Sequence, residues 1–118
     1  MYSAKLLDHF HNPRHAGEIE NATAVVEASN PACGDLMKLW VVVREGHIEE
    51  AKFKVAGCVP AVACGSWLAE YLSGRAISEI TPPSPAEIES ALDGLPTASR
   101  HAAHLASEAL RVLIDKIS

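Results

Sequence analysis

The sequence predicts an α+β fold in which helices pack on one face of a three-stranded antiparallel sheet. Apolar and polar side chains alternate along two neighbouring segments in the first half of the chain, with the period of two that is typical of half-buried strands. After Pro60 the apolar residues recur with helical spacing instead. Strands followed by helices, with one face of the sheet exposed to solvent, indicate the α+β class.

The first elements are a short helix and a strand. Ser3 precedes an amphipathic segment that ends at about His11, because the residue before a proline is biased out of the helical region and Asn12-Pro13 follows. Residues 23–29 are predicted to form the first strand.

The next two strands are predicted to form a hairpin. The second strand spans about 35–44, and Glu45-Gly46 is a plausible tight turn. The side chains predicted to face the helices are Met37, Leu39, Val41 and Val43 on the second strand, and Ala51, Phe53 and Val55 on the third.

Three helices are predicted in the second half. The first covers residues 60–73, and the second covers 86–93. Thr97 or Ser99 can cap the last helix. Its apolar stripe is Leu105, Ala109, Val112, Leu113 and Ile117.

Length and composition indicate one soluble domain over residues 1–118. Hydrophobic residues make up 48% and charged residues 21%, which is ordinary for a globular protein. The net charge of −5 argues against a nucleic-acid binder, since phosphate binding requires a basic surface. No export signal or membrane-length apolar stretch is found, so the three cysteines are expected to be reduced thiols in the cytoplasm, with no membrane partner.

Two cysteines in glycine-containing loops suggest a metal site. Cys33 lies before the second strand, with Asp35 two positions later, and Cys58 lies between the third strand and a helix, whose N-terminus favours a thiolate. The hairpin should bring both cysteines to the same end of the sheet. Thiolates, a carboxylate and the imidazole of His101 are ligands for zinc or iron.

The simpler interpretation is that both cysteines are small hydrophobic residues at tight packing positions. Cys64 falls on the buried stripe of its helix and is predicted to be a core thiol, and His104 to be a solvated helix residue. Lys38 is predicted to face solvent. The histidines predicted to lie on the surface are His9, His11, His15 and His47, and the tryptophans predicted to pack in or beside the core are Trp40 and Trp67.

Long ordered motifs over residues 2–117 resemble the U-type iron–sulfur cluster assembly scaffolds, the IscU/NifU N-terminal family. The motifs are Tyr2-Ser3-x-Lys5, Asp8-His9-Phe10-x-Asn12-Pro13-Arg14, Gly17, Pro31-Ala32-Cys33-Gly34-Asp35, Met37-Lys38-Leu39, Phe53-Lys54-x-x-Gly57-Cys58, Ala61, Leu95-Pro96, His101, Leu105-Ala106 and Ala109.

The resemblance implies a scaffold, not an enzyme, on which a transient [2Fe–2S] cluster forms before it passes to acceptor apo-proteins. Sulfur would come from a cysteine desulfurase. Cys33 and Cys58 match the first two cysteine ligands and would accept sulfur, while Asp35 and His101 match the aspartate and the histidine of the family site. The third family cysteine falls on Ala102, whose methyl group can neither bind metal nor receive sulfur.

A second departure from the family pattern concerns the segment that resembles the binding motif for an Hsp70-type chaperone. It reads Leu95-Pro96-Thr97-Ala98-Ser99 here, so chaperone delivery is doubtful. Three hypotheses follow: a cluster assembly scaffold, a zinc- or iron-binding homologue that docks on a cysteine desulfurase as sulfur acceptor or regulator, and a relative with a vestigial site. Cys33, Asp35, Cys58 and His101 would supply the four ligands for a cluster or a single ion.

Overall fold

The computed structural model describes residues 2–30 and 34–117. Its helices and strands, in chain order, are α1 (Ala4–His11), β1 (Ala24–Asn30), β2 (Asp35–Arg44), β3 (His47–Ala56), α2 (Val59–Leu72), α3 (Pro85–Ala91) and α4 (His101–Ile117). Short 3-10 turns at Ile77–Glu79 and Thr97–Ser99 lie between the later helices. The predicted α+β class is confirmed.

The three strands form one antiparallel sheet in the order β1-β2-β3. Glu45 and Gly46 both have positive φ, at 52° and 77°, which is the backbone of a two-residue turn that matches the twist of a hairpin. On the helix-facing side Met37, Leu39 and Val41 are fully buried, as predicted, whereas Val43 is only half-buried beside a register shift at Val42/Val43.

Helices α2 and α4 cover one face of the sheet, and α1 and α3 pack on them. Gly65 allows the close approach of α2, because a Cβ there would lie 2.5 Å from the Phe53 ring. Cys64, one residue earlier, is fully buried in the core, and its prediction as a packed thiol is confirmed. Burial raises the pKa of Cys64 to about 12, so it stays protonated.

The predicted boundaries are close but differ at the last helices. Helix α3 ends at Ala91, two residues before the predicted end, and α4 begins only at His101. Thr97 and Ser99, the predicted caps, form the 3-10 turn that leads into α4. The late start makes His101 the first residue of the helix.

The prediction that His9 lies on the surface is wrong. Its side chain is 3% exposed, and Nδ1 lies 2.8 Å from the Ser66 hydroxyl oxygen on α2. That hydroxyl also accepts the backbone N–H of Arg14 at 2.8 Å. The polar contact lets a histidine occupy the α1–α2 interface, and its burial lowers the pKa of His9.

Among residues 2–30 and 34–117, no helix has both the length and the apolar character that crossing a membrane requires.

Candidate metal centre

Three of the four predicted ligands lie at one end of the sheet, each at the end of a different element. Asp35 is the first residue of β2, Cys58 is the N-cap of α2 and is separated from the end of β3 by Gly57, and His101 is the first residue of α4. The β2–β3 register pairs Leu36 with Ala56, so the start of β2 lies beside the end of β3. The hairpin therefore brings Asp35 next to Cys58, as its geometry predicted.

The donor atoms of these three side chains are in mutual contact. The Cys58 thiol donates to Asp35 Oδ2 over 3.1 Å, and its Sγ lies 3.7 Å from His101 Nε2. His101 Nε2 lies 3.4 Å from the same carboxylate oxygen. One ligand atom from each residue lies within 4.8 Å of the other two, in a site where Asp35 is buried and the others are half-buried.

The Cys58 thiol is not activated by the helix N-terminus in the way the sequence suggested. Burial raises its pKa, and the hydrogen bond to the Asp35 carboxylate raises it further. Hydrogen bonds from the backbone of Ala61 and of Cys58 itself act in the opposite direction, but they are outweighed. The thiol is therefore protonated at neutral pH, and metal binding would have to displace its proton.

A glycine beside the carboxylate belongs to this site, although the sequence suggested only a loop position for it. A Cβ on Gly57 would lie 2.7 Å from both Cγ and Oδ1 of Asp35. The signal was available, since a glycine immediately before a candidate ligand often marks a close approach of backbone to another group.

Among the described residues, the other candidates lie outside this cluster. Cys33 falls outside the described residues. His104 is exposed, as predicted, and Lys38 is half-buried with its ammonium 3.8 Å from Glu27. Ala102 is fully buried directly after His101. Within the described part of the chain, the grouped metal donors are therefore Asp35, Cys58 and His101.

The chemistry of this donor set fits a borderline metal. Sulfur, carboxylate oxygen and imidazole nitrogen are all ligands of zinc, and thiolate and imidazole also bind iron in iron–sulfur centres. Three donors leave one position of a tetrahedron for a further ligand. Both zinc and an iron–sulfur species are compatible with the arrangement.

Comparison with known proteins points to the same family as the motifs. The family described as "NifU-like N terminal domain" matches residues 1–117. The iron–sulfur cluster assembly scaffold protein IscU 1 of Archaeoglobus fulgidus is 42% identical over 94% of this chain and 72% of its own length. IscU of Escherichia coli is 38% identical over 96% of this chain and 91% of its own length.

Solved structures share the fold. A NifU-like protein (N-terminal) from Brucella abortus superposes with a TM-score of 0.64 at 18% identity, over 94% of this chain and 78% of that one. A hypothetical protein reaches a TM-score of 0.70 at 24% identity, over 95% of both chains. The match over residues 1–117 and the 42% identity to the Archaeoglobus fulgidus protein show that the chain belongs to the NifU-like N-terminal domain family.

Proposed function

We propose that this protein is a scaffold on which iron and sulfide are assembled into an iron–sulfur cluster that then passes to acceptor apo-proteins. The observation that carries the proposal is the contact between the donor atoms of Asp35, Cys58 and His101 at one end of a NifU-type domain. Relatives with 38–42% identity are named as scaffold proteins for this process.

The ligands of the bound iron in this proposal are Asp35, Cys58, His101 and Cys33. Cys33 is the candidate for the fourth position because it is a thiol two residues before Asp35 in the chain. Four protein ligands satisfy a [2Fe–2S] cluster, and clusters in which histidine replaces cysteine are stable. The cluster is the cargo of the protein, not a resident cofactor.

Sulfur is proposed to arrive by exchange between a cysteine desulfurase persulfide and Cys58 or Cys33. The attacking thiolate forms a bond to the outer sulfur, the S–S bond of the donor breaks, and the donor cysteine leaves as a thiolate. The Asp35 carboxylate accepts a hydrogen bond from the Cys58 thiol, whose proton must leave before the thiolate can attack. Reduction of the transferred sulfur to sulfide requires an electron donor protein.

These residues hold, accept and release atoms without turning over a substrate of their own, so the proposed role is not enzymatic. The partners are a cysteine desulfurase and acceptor proteins, in the cytoplasm, with no nucleic acid and no membrane. A chaperone of the Hsp70 type is not included among the partners. The segment Leu95-Pro96-Thr97-Ala98-Ser99 departs from the chaperone-binding motif of the family.

A second candidate function is a zinc- or iron-binding homologue that docks on a cysteine desulfurase as sulfur acceptor or regulator. The observation in its favour is the fully buried methyl of Ala102 beside His101, at the position where the family resemblance implies a third thiol. Replacing a thiolate by oxygen or nitrogen donors makes a site harder, and this weakens an iron–sulfur cluster more than a single zinc ion.

Anaerobic reconstitution separates the two functions. Metal-free protein is incubated with ferrous iron, cysteine, a cysteine desulfurase and a dithiol reductant that converts persulfide sulfur to sulfide, then desalted, and its visible absorption and acid-labile sulfide are measured. The scaffold predicts a coloured protein with iron and sulfide in equal amounts. Stoichiometric zinc binding without retained sulfide would favour the second function. The absence of both zinc binding and retained sulfide would indicate a vestigial site.

The cysteines provide matched variants for this experiment. Cys33→Ala and Cys58→Ala should each abolish cluster formation and stoichiometric zinc binding, since each removes a thiolate that the described residues do not replace. Cys64→Ala is the control, because Cys64 is buried in the core and its loss removes a thiol without removing a ligand. Tight zinc binding by Cys58→Ala, or cluster loss in Cys64→Ala, would contradict the ligand set.

A further inference from the structure

Asp35 and Gly57 face each other just past the last pair of the β2–β3 ladder. That pair is Leu36 with Ala56, so the next positions outward are Asp35 and Gly57. Cβ atoms of directly opposite residues in a sheet are ordinarily about 4.5–5.5 Å apart. Here a Cβ built on Gly57 would lie 3.1 Å from the Cβ of Asp35 and 2.7 Å from its carboxylate. The Asp35 side chain therefore lies over the backbone of Gly57.

The carboxylate is held from two sides in this position. Its Oδ2 atom contacts Cys58 Sγ and His101 Nε2 at 3.1 and 3.4 Å, while Oδ1 and Cγ lie against Gly57. The Asp35 side chain is only 8% exposed. A methyl group on Gly57 would occupy the space that the carboxylate now fills.

The requirement for glycine at position 57 is steric and local. Gly57 is not among the glycines with positive φ, so its backbone conformation is open to alanine. The Asp35 Cγ and Oδ1 atoms that a methyl would meet at 2.7 Å can turn away by rotation about χ1, whereas the Asp35 Cβ at 3.1 Å must shift with its backbone by a few tenths of an ångström. Substitution by alanine should therefore preserve the fold and move the carboxylate.

From these contacts we infer that Gly57 is a positioning residue of the metal centre, whose missing side chain lets Asp35 reach Cys58 and His101. With glycine, the site offers oxygen, sulfur and nitrogen donors together. With a side chain at this position, the carboxylate is displaced and the site keeps the softer thiolate and imidazole donors. Gly57 thereby determines whether the donor set includes a hard carboxylate oxygen, and so which metals the site prefers.

A double-mutant cycle with Co²⁺ as the probe tests this inference. The parent, Gly57→Ala, Asp35→Ala and the double variant are titrated anaerobically, and Kd is read from the cobalt absorption bands. Gly57→Ala should raise the Kd by about 10–100-fold, which is the typical loss of metal affinity when a group that orients a metal ligand is replaced. In the Asp35→Ala background the same change should alter the Kd by less than about twofold, since no carboxylate remains to be displaced. Equal effects in both backgrounds would overturn the inference.

A second readout needs no metal and separates this inference from the proposed function. The inference rests on the proposed function only for the role of Asp35 as a metal ligand. In a crystal structure of metal-free Gly57→Ala, Asp35 Oδ2 should lie well beyond 3.1 Å from Cys58 Sγ. An unchanged distance would overturn the inference, whether or not the parent assembles a cluster. If Gly57→Ala alone does not fold, recovery of the fold in the Asp35→Ala background supports the steric conflict, and unfolding in both backgrounds contradicts it.

Discussion

At the scale of single residues, the environment of each cysteine determines what its sulfur can do. Cys58 is half-buried at the N-terminus of α2 and contacts a carboxylate and an imidazole, whereas Cys64 lies in the core, six residues further along the chain on the same helix. The sequence distinguished them by the helical spacing of Cys64 and by the glycine-containing loop and hairpin position of Cys58. It could not give the direction of the Cys58 pKa shift, because that depends on burial and on Asp35, which is distant in sequence.

Thiol reactivity should reproduce this difference. In metal-free folded protein, Cys33 and Cys58 are expected to react with an alkylating reagent while Cys64 stays protected, since it is fully buried and its pKa is raised to about 12. Mass spectrometry of alkylated peptides measures this directly. Cys64→Ala should cost about 1 kcal/mol of stability through lost packing, and rapid labelling of Cys64 in the native state would contradict its assignment to the core.

Replacing Ala102 with cysteine should strengthen the centre. Ala102 follows His101 on the first turn of α4, and the family resemblance implies a third thiol at this position. Because the alanine is fully buried, the added sulfur should cost about 1–3 kcal/mol of stability through overpacking. A longer cluster lifetime or a higher cluster yield is nevertheless expected in reconstitution.

Ala103→Cys is the control for that variant. Ala103 is equally buried, but it lies one position further along the helix and so on a different side of it. It should add a thiol without improving the cluster. Equal gains from both variants, or no gain from Ala102→Cys, would argue that position 102 is no longer part of a scaffold site.

At the scale of elements, α1 is fastened to α2 by a buried polar contact instead of apolar packing alone. His9, Ser66 and the backbone of Arg14 form this contact. The charged groups around the imidazole are Asp8, Arg14, Glu70 and Lys5, with Asp8 and Glu70 partly offsetting the two cations. Burial is the largest influence and lowers the pKa of His9 below the usual 6.5.

This contact predicts a loss of stability in acid. The unfolded chain binds a proton on His9 near pH 6.5, and the folded chain resists it, so the free energy of unfolding should fall as the pH drops below about 6.5. His9→Asn, whose amide can still bond Ser66, should show a smaller fall between pH 7 and 5 in denaturant titrations. His11→Asn, on the exposed side of the same helix, should behave as the parent. An identical pH dependence in His9→Asn and the parent would refute this role.

The elements themselves were largely predictable, and the exceptions have physical causes. Alternation identified β2 and β3, and Glu45-Gly46 predicted the tight turn between them, in which both residues have positive φ. His9 was misjudged because it is a polar residue on a short helix, and its partner Ser66 is 57 positions away. The role of Gly57 was missed because a glycine before a candidate ligand signals a close approach without naming the partner, and that partner, Asp35, follows from the β2–β3 register.

At the scale of the whole molecule, the fold brings the ends of three elements to one point. The start of β2, the junction of β3 with α2 and the start of α4 each contribute one donor atom. The sequence predicted this convergence for the hairpin from the midpoint position of its turn. The position of His101 came only from the family resemblance, because nothing in the chain pattern fixes how α4 crosses the sheet.

The most direct test of the scaffold function is the metal and sulfide content of the protein as it comes from cells. The protein is purified without oxygen from cells that contain a cysteine desulfurase, and iron, zinc and acid-labile sulfide are determined in the same sample. The account predicts iron and acid-labile sulfide in equal amounts, both lost in Cys58→Ala and retained in Cys64→Ala. Stoichiometric zinc with no acid-labile sulfide in the parent protein would contradict it.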